Sequence, residues 1–227
     1  MTEAEWMACN DPDPMLRLVR GSIGGRKIRL FAVACCRDIG SRLAYPEFHR
    51  AVEVAERAAE GHAGQEELQA AADATQAARF VSRIPLGDSS ALKAAVEACG
   101  DMWMTVEAAA SSAAYAFAGY ACVYSPDSQS LHRAEVRAGK RAEQASLLRC
   151  LVPFPKWSLA VPPEWLTPTV RSLAAGINAD RAFDRLPILA DALQDAGCEV
   201  AELLNHCRCG GPHVRGCWAV DLILGKE

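Results

Sequence analysis

The sequence predicts an all-α protein, and three observations support this. Hydrophobic residues recur at helical spacing along most of the 227 residues, most clearly between Arg26 and Leu43, where Ile28, Phe31 and Ile39 would share one buried stripe. No segment alternates polar and apolar residues as a half-buried strand does. Hydrophobic residues make up 51% of the chain, enough to bury a sizeable core. We therefore expect a compact multi-helix bundle.

Capping and breaking residues give the order of the predicted helices. Thr2 and Glu5 have the spacing of a capping box and begin a short helix that carries Trp6. The Asp-Pro pairs that follow suit the start of a second short helix, through Met15 and Val19. Further helices are predicted over residues 26–43, 46–61, 65–81, 89–99, 101–124, 129–151, 168–178, 184–196, 199–207 and 216–224.

A change of composition divides the chain near its C-terminal third. Residues 152–168, VPFPKWSLAVPPEWLTP, contain five prolines and two tryptophans and cannot form a regular helix. We call this segment the Pro-rich strap, and we expect Trp157 and Trp165 to anchor it. The predicted organisation is an N-terminal helical bundle over 1–151, the strap, and a C-terminal helical subdomain over 169–227, with packing into a single domain as the alternative.

Charge and cysteine content narrow the functional class. The net charge of −4 and the isoelectric point near 5.8 argue against nucleic-acid binding, which needs a surplus of Lys and Arg. The sequence has no apolar run long enough for a membrane span and begins without a signal-peptide pattern, so we expect a cytoplasmic protein. Its ten cysteines are then expected to be thiols or metal ligands rather than disulfides.

The densest group of Cys and His residues lies in NHCRCGGPHVRGCW, residues 205–218. Its possible metal ligands are His206, Cys207, Cys209, His213 and Cys217. Zinc takes four Cys or His ligands in a tetrahedron, and a glycine-containing loop between helix ends can fold around the ion. However, the spacing C-x-C-x3-H-x3-C differs from common zinc motifs, in which two to four residues separate paired ligands.

Two other interpretations of this segment remain open. As a structural turn, it would use its glycines and Pro212 to bend, Arg215 and Asp221 would pair with helix ends or with each other, and Trp218 would dock the last helix. As a catalytic site, it would use Cys217 as a thiolate activated by His213. No sequence motif that identifies a reaction class accompanies this pair.

Both ends of the chain resemble a group of uncharacterised planctomycete proteins. The matching stretches are MTEAEWMACNDPDPMLRLVRG…RKIRLFAVACCRDI and RAFDRLPILADALQDAGCEVAELLNHCRCGGPHVRGCWAVDLILGKE. The group has no established activity, and the SMI1/KNR4 label attached to some members implies an α/β fold that this helical pattern does not predict. Members commonly lack a cysteine at the position of Cys209, so the resemblance implies that a fourth metal ligand would come from elsewhere, such as Cys35 or Cys36.

The sequence thus favours a non-enzymatic helical module that binds another protein, since it contains no catalytic signature. The alternative is a zinc-binding or thiol-dependent site, acting in an enzyme or a redox sensor, between His206 and Cys217. No cofactor is predicted other than zinc under this alternative.

Overall fold

The computed structural model describes residues 1–80, 84–100, 102–121, 129–155 and 161–226. The prediction of an all-α fold is confirmed, because the regular structure in these ranges is helical and no strand occurs in them. The Trp157 anchor of the strap lies outside the described residues. Among the described helices, none is both long enough and apolar enough to cross a membrane.

The helices follow the predicted order closely. Their bounds are α1 Glu3–Ala8, α2 Pro12–Val19, α3 Gly25–Gly40, α4 Pro46–Ala59, α5 Gln65–Arg79, α6 Leu86–Cys99, α7 Met102–Ala121, α8 Gln129–Leu151, α9 Pro168–Asp180, α10 Leu186–Asp195, α11 Ala201–Arg208 and α12 Trp218–Leu224. The capping box that begins α1 is present, with the backbone N–H of Glu5 donating to the Thr2 hydroxyl and the backbone N–H of Thr2 donating to the Glu5 carboxylate.

The chain divides into two compact units, Met1–Leu148 and Arg149–Glu227. In the first unit, α3 packs against α4, α6 and α7, and α6 lies along α7. Alanines line the buried faces of α6 and α7, among them Ala94, Ala98, Ala110 and Ala114. Small side chains let helix axes approach closely, which explains why these weakly amphipathic helices are interior elements.

The second unit contains the last turn of α8 and helices α9 to α12. Its core is built from α9, α10, α11 and α12, with Trp165 of a short 3-10 turn packed against it. Gly197 follows α10 with φ of +89°, and the backbone N–H of Cys198 donates to the carbonyl of Leu193. A left-handed glycine just past a helix end turns the chain without steric cost, so α11 begins within a few residues.

Candidate metal centre

Four side chains of the second unit converge at one point. They are Cys150, His206, His213 and Cys217, and one ligand atom of each lies within 4.8 Å of those of the other three. Both cysteines are buried and both histidines are half-buried. These four residues therefore lie close enough to hold a metal ion.

The separations between individual ligand atoms are close to those of a tetrahedral site. Nε2 of His206 lies 3.2 Å from Sγ of Cys217, and Nδ1 of His213 lies 3.7 Å from Sγ of Cys150 and 4.0 Å from Sγ of Cys217. Metal–sulfur bonds of about 2.3 Å and metal–nitrogen bonds of about 2.0 Å at tetrahedral angles place ligand atoms about 3.3 to 3.8 Å apart. Only small shifts would bring the four atoms onto one ion.

Helices position two of the ligands. Cys150 lies in the last turn of α8, and His206 lies in the last turn of α11. The Trp218 ring packs against the His206 ring, with centroids 4.7 Å apart, and so restricts its orientation. Arg208 extends from the end of α11 to Asp191 and Gln194 of α10, which fixes α11 against its neighbour.

The segment between α11 and α12 positions the other two ligands. His213 lies in its irregular part, and Cys217 is the N-cap residue of α12. Arg215 donates hydrogen bonds from Nη2 to the carbonyl oxygens of Asn178 and Ala179, at the C-terminal end of α9. Gly216 has φ of +87°, and the backbone N–H of Cys217 donates to the Val214 carbonyl across this turn. The turn thereby directs the Cys217 thiol inward.

The second nitrogen of His213 has a partner typical of a metal-binding histidine. Nε2 lies 3.2 Å from the carbonyl oxygen of Cys209, while Nδ1 faces the two cysteines. Metal-bound histidines commonly donate their other N–H to a carbonyl or carboxylate, which fixes the tautomer and the ring orientation. The His213 ring is therefore held with Nδ1 pointing to the cluster.

The electrostatics favour a thiolate at Cys217. Burial acts to raise the pKa of this thiol, but the hydrogen-bonding groups of Cys150, His206 and His213 together outweigh burial and bring the pKa well below its usual value. Burial likewise acts to lower the pKa of His213, while the contact with Cys217 raises it above the ordinary value. The thiolate is the form of cysteine that binds a metal, and a metal ion would also require His213 to be neutral.

Of the five possible ligands predicted from sequence, the structure brings together His206, His213 and Cys217. Cys207 is fully buried in the hydrophobic core of the unit, and burial raises the pKa of its thiol. Cys209 is exposed beside the cluster, on the outer side of the His213 ring. Neither of these two cysteines belongs to the four converging residues.

The residues that the sequence predicts to have a structural or interaction role lie at different positions in the second unit. Arg215 joins the loop to the end of α9, and Trp218 is buried against His206. Asp221 is buried within α12, and Trp165 is half-buried against the core of the second unit. The Cys217–His213 pair, considered for catalysis, is accompanied by two further ligand groups, and Cys217 itself has no exposed surface.

Sequence reasoning missed Cys150 as a candidate ligand. Cys150 is 63 positions before His213, and its neighbours Leu148 and Leu151 are the apolar residues of an ordinary buried helix end. No local spacing could have identified it. Cys35 and Cys36, suggested as distant ligands, are both buried in α3 of the first unit.

Comparison with known proteins returned no relatives: no family model, no curated protein and no solved structure matches the chain. The function of the site is therefore argued from its own geometry.

Proposed function

We propose that the second unit binds one zinc ion through Cys150, His206, His213 and Cys217, and that this ion stabilises its fold. The observation that carries the proposal is the convergence of four ligand atoms within 4.8 Å from two distant parts of the chain, Cys150 and the stretch 206–217. The carbonyl of Cys209 on the far nitrogen of His213 supports the same conclusion, since it orients the ring as a ligand.

The ligand types favour zinc over other cations. Two thiolates and two imidazoles in a tetrahedron suit zinc, whereas calcium and magnesium take oxygen ligands. Two thiolates also balance the double positive charge, which matters because both cysteines are buried. A Rieske iron–sulfur cluster also takes two cysteines and two histidines, but its cysteines bind one iron and its histidines the other. Here a histidine nitrogen lies 3.2 Å from a cysteine sulfur, which favours a single ion.

The site has the features of a structural rather than a catalytic centre. Catalytic zinc keeps a coordination position for water or substrate, whereas structural zinc has four protein ligands. Here four protein groups are present, and the two sulfur atoms belong to buried residues. A substrate would have to displace a ligand to reach the ion.

The direct test is the metal content of protein purified without a metal-affinity tag or chelator, measured by inductively coupled plasma mass spectrometry. We expect about one zinc per chain, lost in Cys150→Ala and Cys217→Ala. The matched controls are Cys198→Ala and Cys207→Ala, which remove buried thiols from the same core but outside the four ligands. Protein that contains no metal, or ligand variants that retain it as well as the controls do, would refute the proposal.

A structural role is separated from adventitious binding by thermal unfolding. Because binding to the folded state adds to its stability, a chelator should lower the melting temperature of the wild type and leave Cys217→Ala unchanged. Zinc content without any effect of the chelator on unfolding would show a bound ion that does not support the fold.

A closed zinc centre is compatible with the non-enzymatic interaction module predicted from sequence, because it stabilises a fold without performing a reaction. That function stays a prediction. The large exposed apolar side chains of the described residues include Met7, Phe80, Tyr115 and Ile188, which lie on or beside four different helices.

A further inference from the structure

Cys209 is the exposed thiol nearest to the four-residue cluster. Its Sγ lies 3.6 Å from Nε2 of His213 and donates a hydrogen bond to the carbonyl oxygen of His206, 3.0 Å away. It thus contacts two of the four metal-ligand residues from outside, whereas Cys150 and Cys217 are buried.

His213 is the one residue of the four that neither lies in a helix nor caps one. Cys150 and His206 lie in helices and Cys217 caps one, whereas His213 follows the irregular stretch of residues 209–212. Within that stretch, a side chain added at Gly210 would meet no atom within 4 Å. A displacement of His213 would therefore not require any helix to unfold.

Replacement of His213 by Cys209 would produce another regular zinc site. The ligands would then be Cys150, His206, Cys209 and Cys217, and three cysteines with one histidine form a common structural set. His206 and Cys209 are separated by two residues, which is within the spacing found between paired zinc ligands. Cys209 already lies beside the end of α11 that carries His206.

Building on the proposed zinc centre, we propose that Cys209 is an exchange ligand, which replaces His213 on the zinc ion while the metal enters or leaves the site. In this step the bond between zinc and Nδ1 of His213 breaks and a bond between zinc and Sγ of Cys209 forms. The proton of the Cys209 thiol passes to the released imidazole. No electron is transferred, so no oxidant or reductant is required.

The consequence is a centre that is structural at rest yet exchangeable. The buried pair Cys150 and Cys217 has no direct access to solvent, and zinc must reach it past the half-buried histidines. The exposed Cys209 side chain at the outer side of His213 binds the ion before the site closes. It also gives a departing ion an intermediate position from which another chelator can take it.

The first test uses cobalt(II), whose near-ultraviolet sulfur-to-metal absorption increases with the number of bound thiolates. The variant His213→Ala should bind cobalt with stronger absorption per ion than the wild type, because Cys209 takes the vacant position. The double variant His213→Ala/Cys209→Ser should lose this gain. The double variant His213→Ala/Cys198→Ala is the matched control and should keep it, since Cys198 is a buried core thiol.

The second test keeps all four resting ligands. Transfer of zinc from the protein to a chromophoric chelator should be slower by about tenfold in Cys209→Ser, which corresponds to a barrier raised by about 1.4 kcal/mol. Serine retains the backbone carbonyl that His213 contacts, so the zinc content should remain that of the wild type. Cys9→Ser, which changes a thiol in the first unit, should transfer zinc at the wild-type rate.

The outcomes separate the two proposals. A zinc-loaded wild type whose transfer rate is unchanged by Cys209→Ser would overturn the exchange step and leave the zinc centre intact. Equal cobalt absorption in His213→Ala and His213→Ala/Cys209→Ser would overturn it as well. A wild type that contains no zinc and takes up none would overturn both proposals.

Discussion

Nε2 of His206 lies 3.2 Å from Sγ of Cys217, and this contact joins the end of α11 to the beginning of α12. The two residues are 11 positions apart, and the loop between them also carries His213. Trp218, directly after Cys217, packs on the His206 ring. The geometry of the candidate centre therefore depends on how this loop is turned and on what it is attached to.

The turn before Cys217 is the first place to test this dependence. Gly216 has φ of +87°, a conformation that costs a residue with a side chain about 1 to 3 kcal/mol. We expect Gly216→Ala to lower the free energy of unfolding and weaken zinc binding, because relieving the strain would redirect Cys217. Urea unfolding with and without zinc measures both effects.

Gly210→Ala is the control for that substitution. Gly210 lies in the same loop without a positive φ, and an added side-chain carbon meets nothing within 4 Å. Equal losses of stability in Gly210→Ala and Gly216→Ala would show that the loop responds to any lost glycine, and not to the turn at Gly216.

The attachment of the loop to α9 gives the second prediction. Arg215 donates hydrogen bonds to the carbonyl oxygens of Asn178 and Ala179. The last carbonyl groups of a helix have no following turn whose N–H groups could donate to them. Since hydrogen bonds from charged groups each contribute about 1.5 to 3 kcal/mol, we expect Arg215→Ala to destabilise the protein by about that amount. The measurement is the free energy of unfolding in urea.

Arg215→Lys should recover part of the lost stability, because an ammonium group can donate to one of the two carbonyls. Arg185→Ala removes an exposed arginine of the same unit and should change stability little. If Arg185→Ala lowers the free energy of unfolding as much as Arg215→Ala does, the loss comes from the removed positive charge. The two hydrogen bonds to α9 would then contribute nothing measurable.

The helical fold was largely predictable because its signals are local. Apolar spacing identifies α3, and Pro46 and Gly61 mark the limits of the predicted segment that contains α4. The residues that form each of these patterns lie within a few turns of one helix, so the pattern can be recognised without knowledge of the tertiary structure.

The four residues of the candidate metal centre were predictable only in part. His206, His213 and Cys217 lie in one short stretch, whereas Cys150 joins them through folding over 63 positions. Cys207 directly follows His206 on α11, so their side chains point about 100° apart around the helix and do not face the same ion. The helix predicted over residues 199–207 already contained both residues, so the sequence alone could have excluded a shared ion for this pair.

A charged contact in the first unit gives the third prediction. Arg141 of α8 forms ion pairs with both Asp11 and Asp13 at the beginning of α2, and its side chain is only 15% exposed. We expect Arg141→Ala to cost about 1 to 2 kcal/mol, more than an exposed ion pair would, because the two carboxylates lose a shared partner. Chemical unfolding at low salt measures the loss.

Lys93→Ala is the comparison, since Lys93 pairs with Glu97 within one helix and is half exposed. It should cost only a few tenths of a kcal/mol. If the two substitutions have equal effects at low and high salt, Arg141 contributes no more than a surface ion pair.

The buried thiols of the first unit give the fourth prediction, which concerns pH. Burial raises the pKa of the Cys99 thiol to about 11 and raises the pKa values of Cys35 and Cys36 as well. In the unfolded chain these thiols ionise at about pH 8.5. Because these pKa values are higher in the folded protein, the thiols leave the free energy of unfolding unchanged below that pH. They lower the free energy of unfolding as the pH rises above it.

We therefore expect the free energy of unfolding to fall between about pH 8 and pH 10, as the thiols ionise in the unfolded state first. Cys99→Ala should reduce the slope of this decline, because it removes one such group, although it also lowers stability at every pH. Alkylation at about pH 8 followed by peptide mapping should label Cys209 before Cys35, Cys36 or Cys99, since Cys209 is exposed and the other three thiols are buried. A slope that is the same in the wild type and in Cys99→Ala would show that Cys99 ionises equally in the folded and unfolded chains.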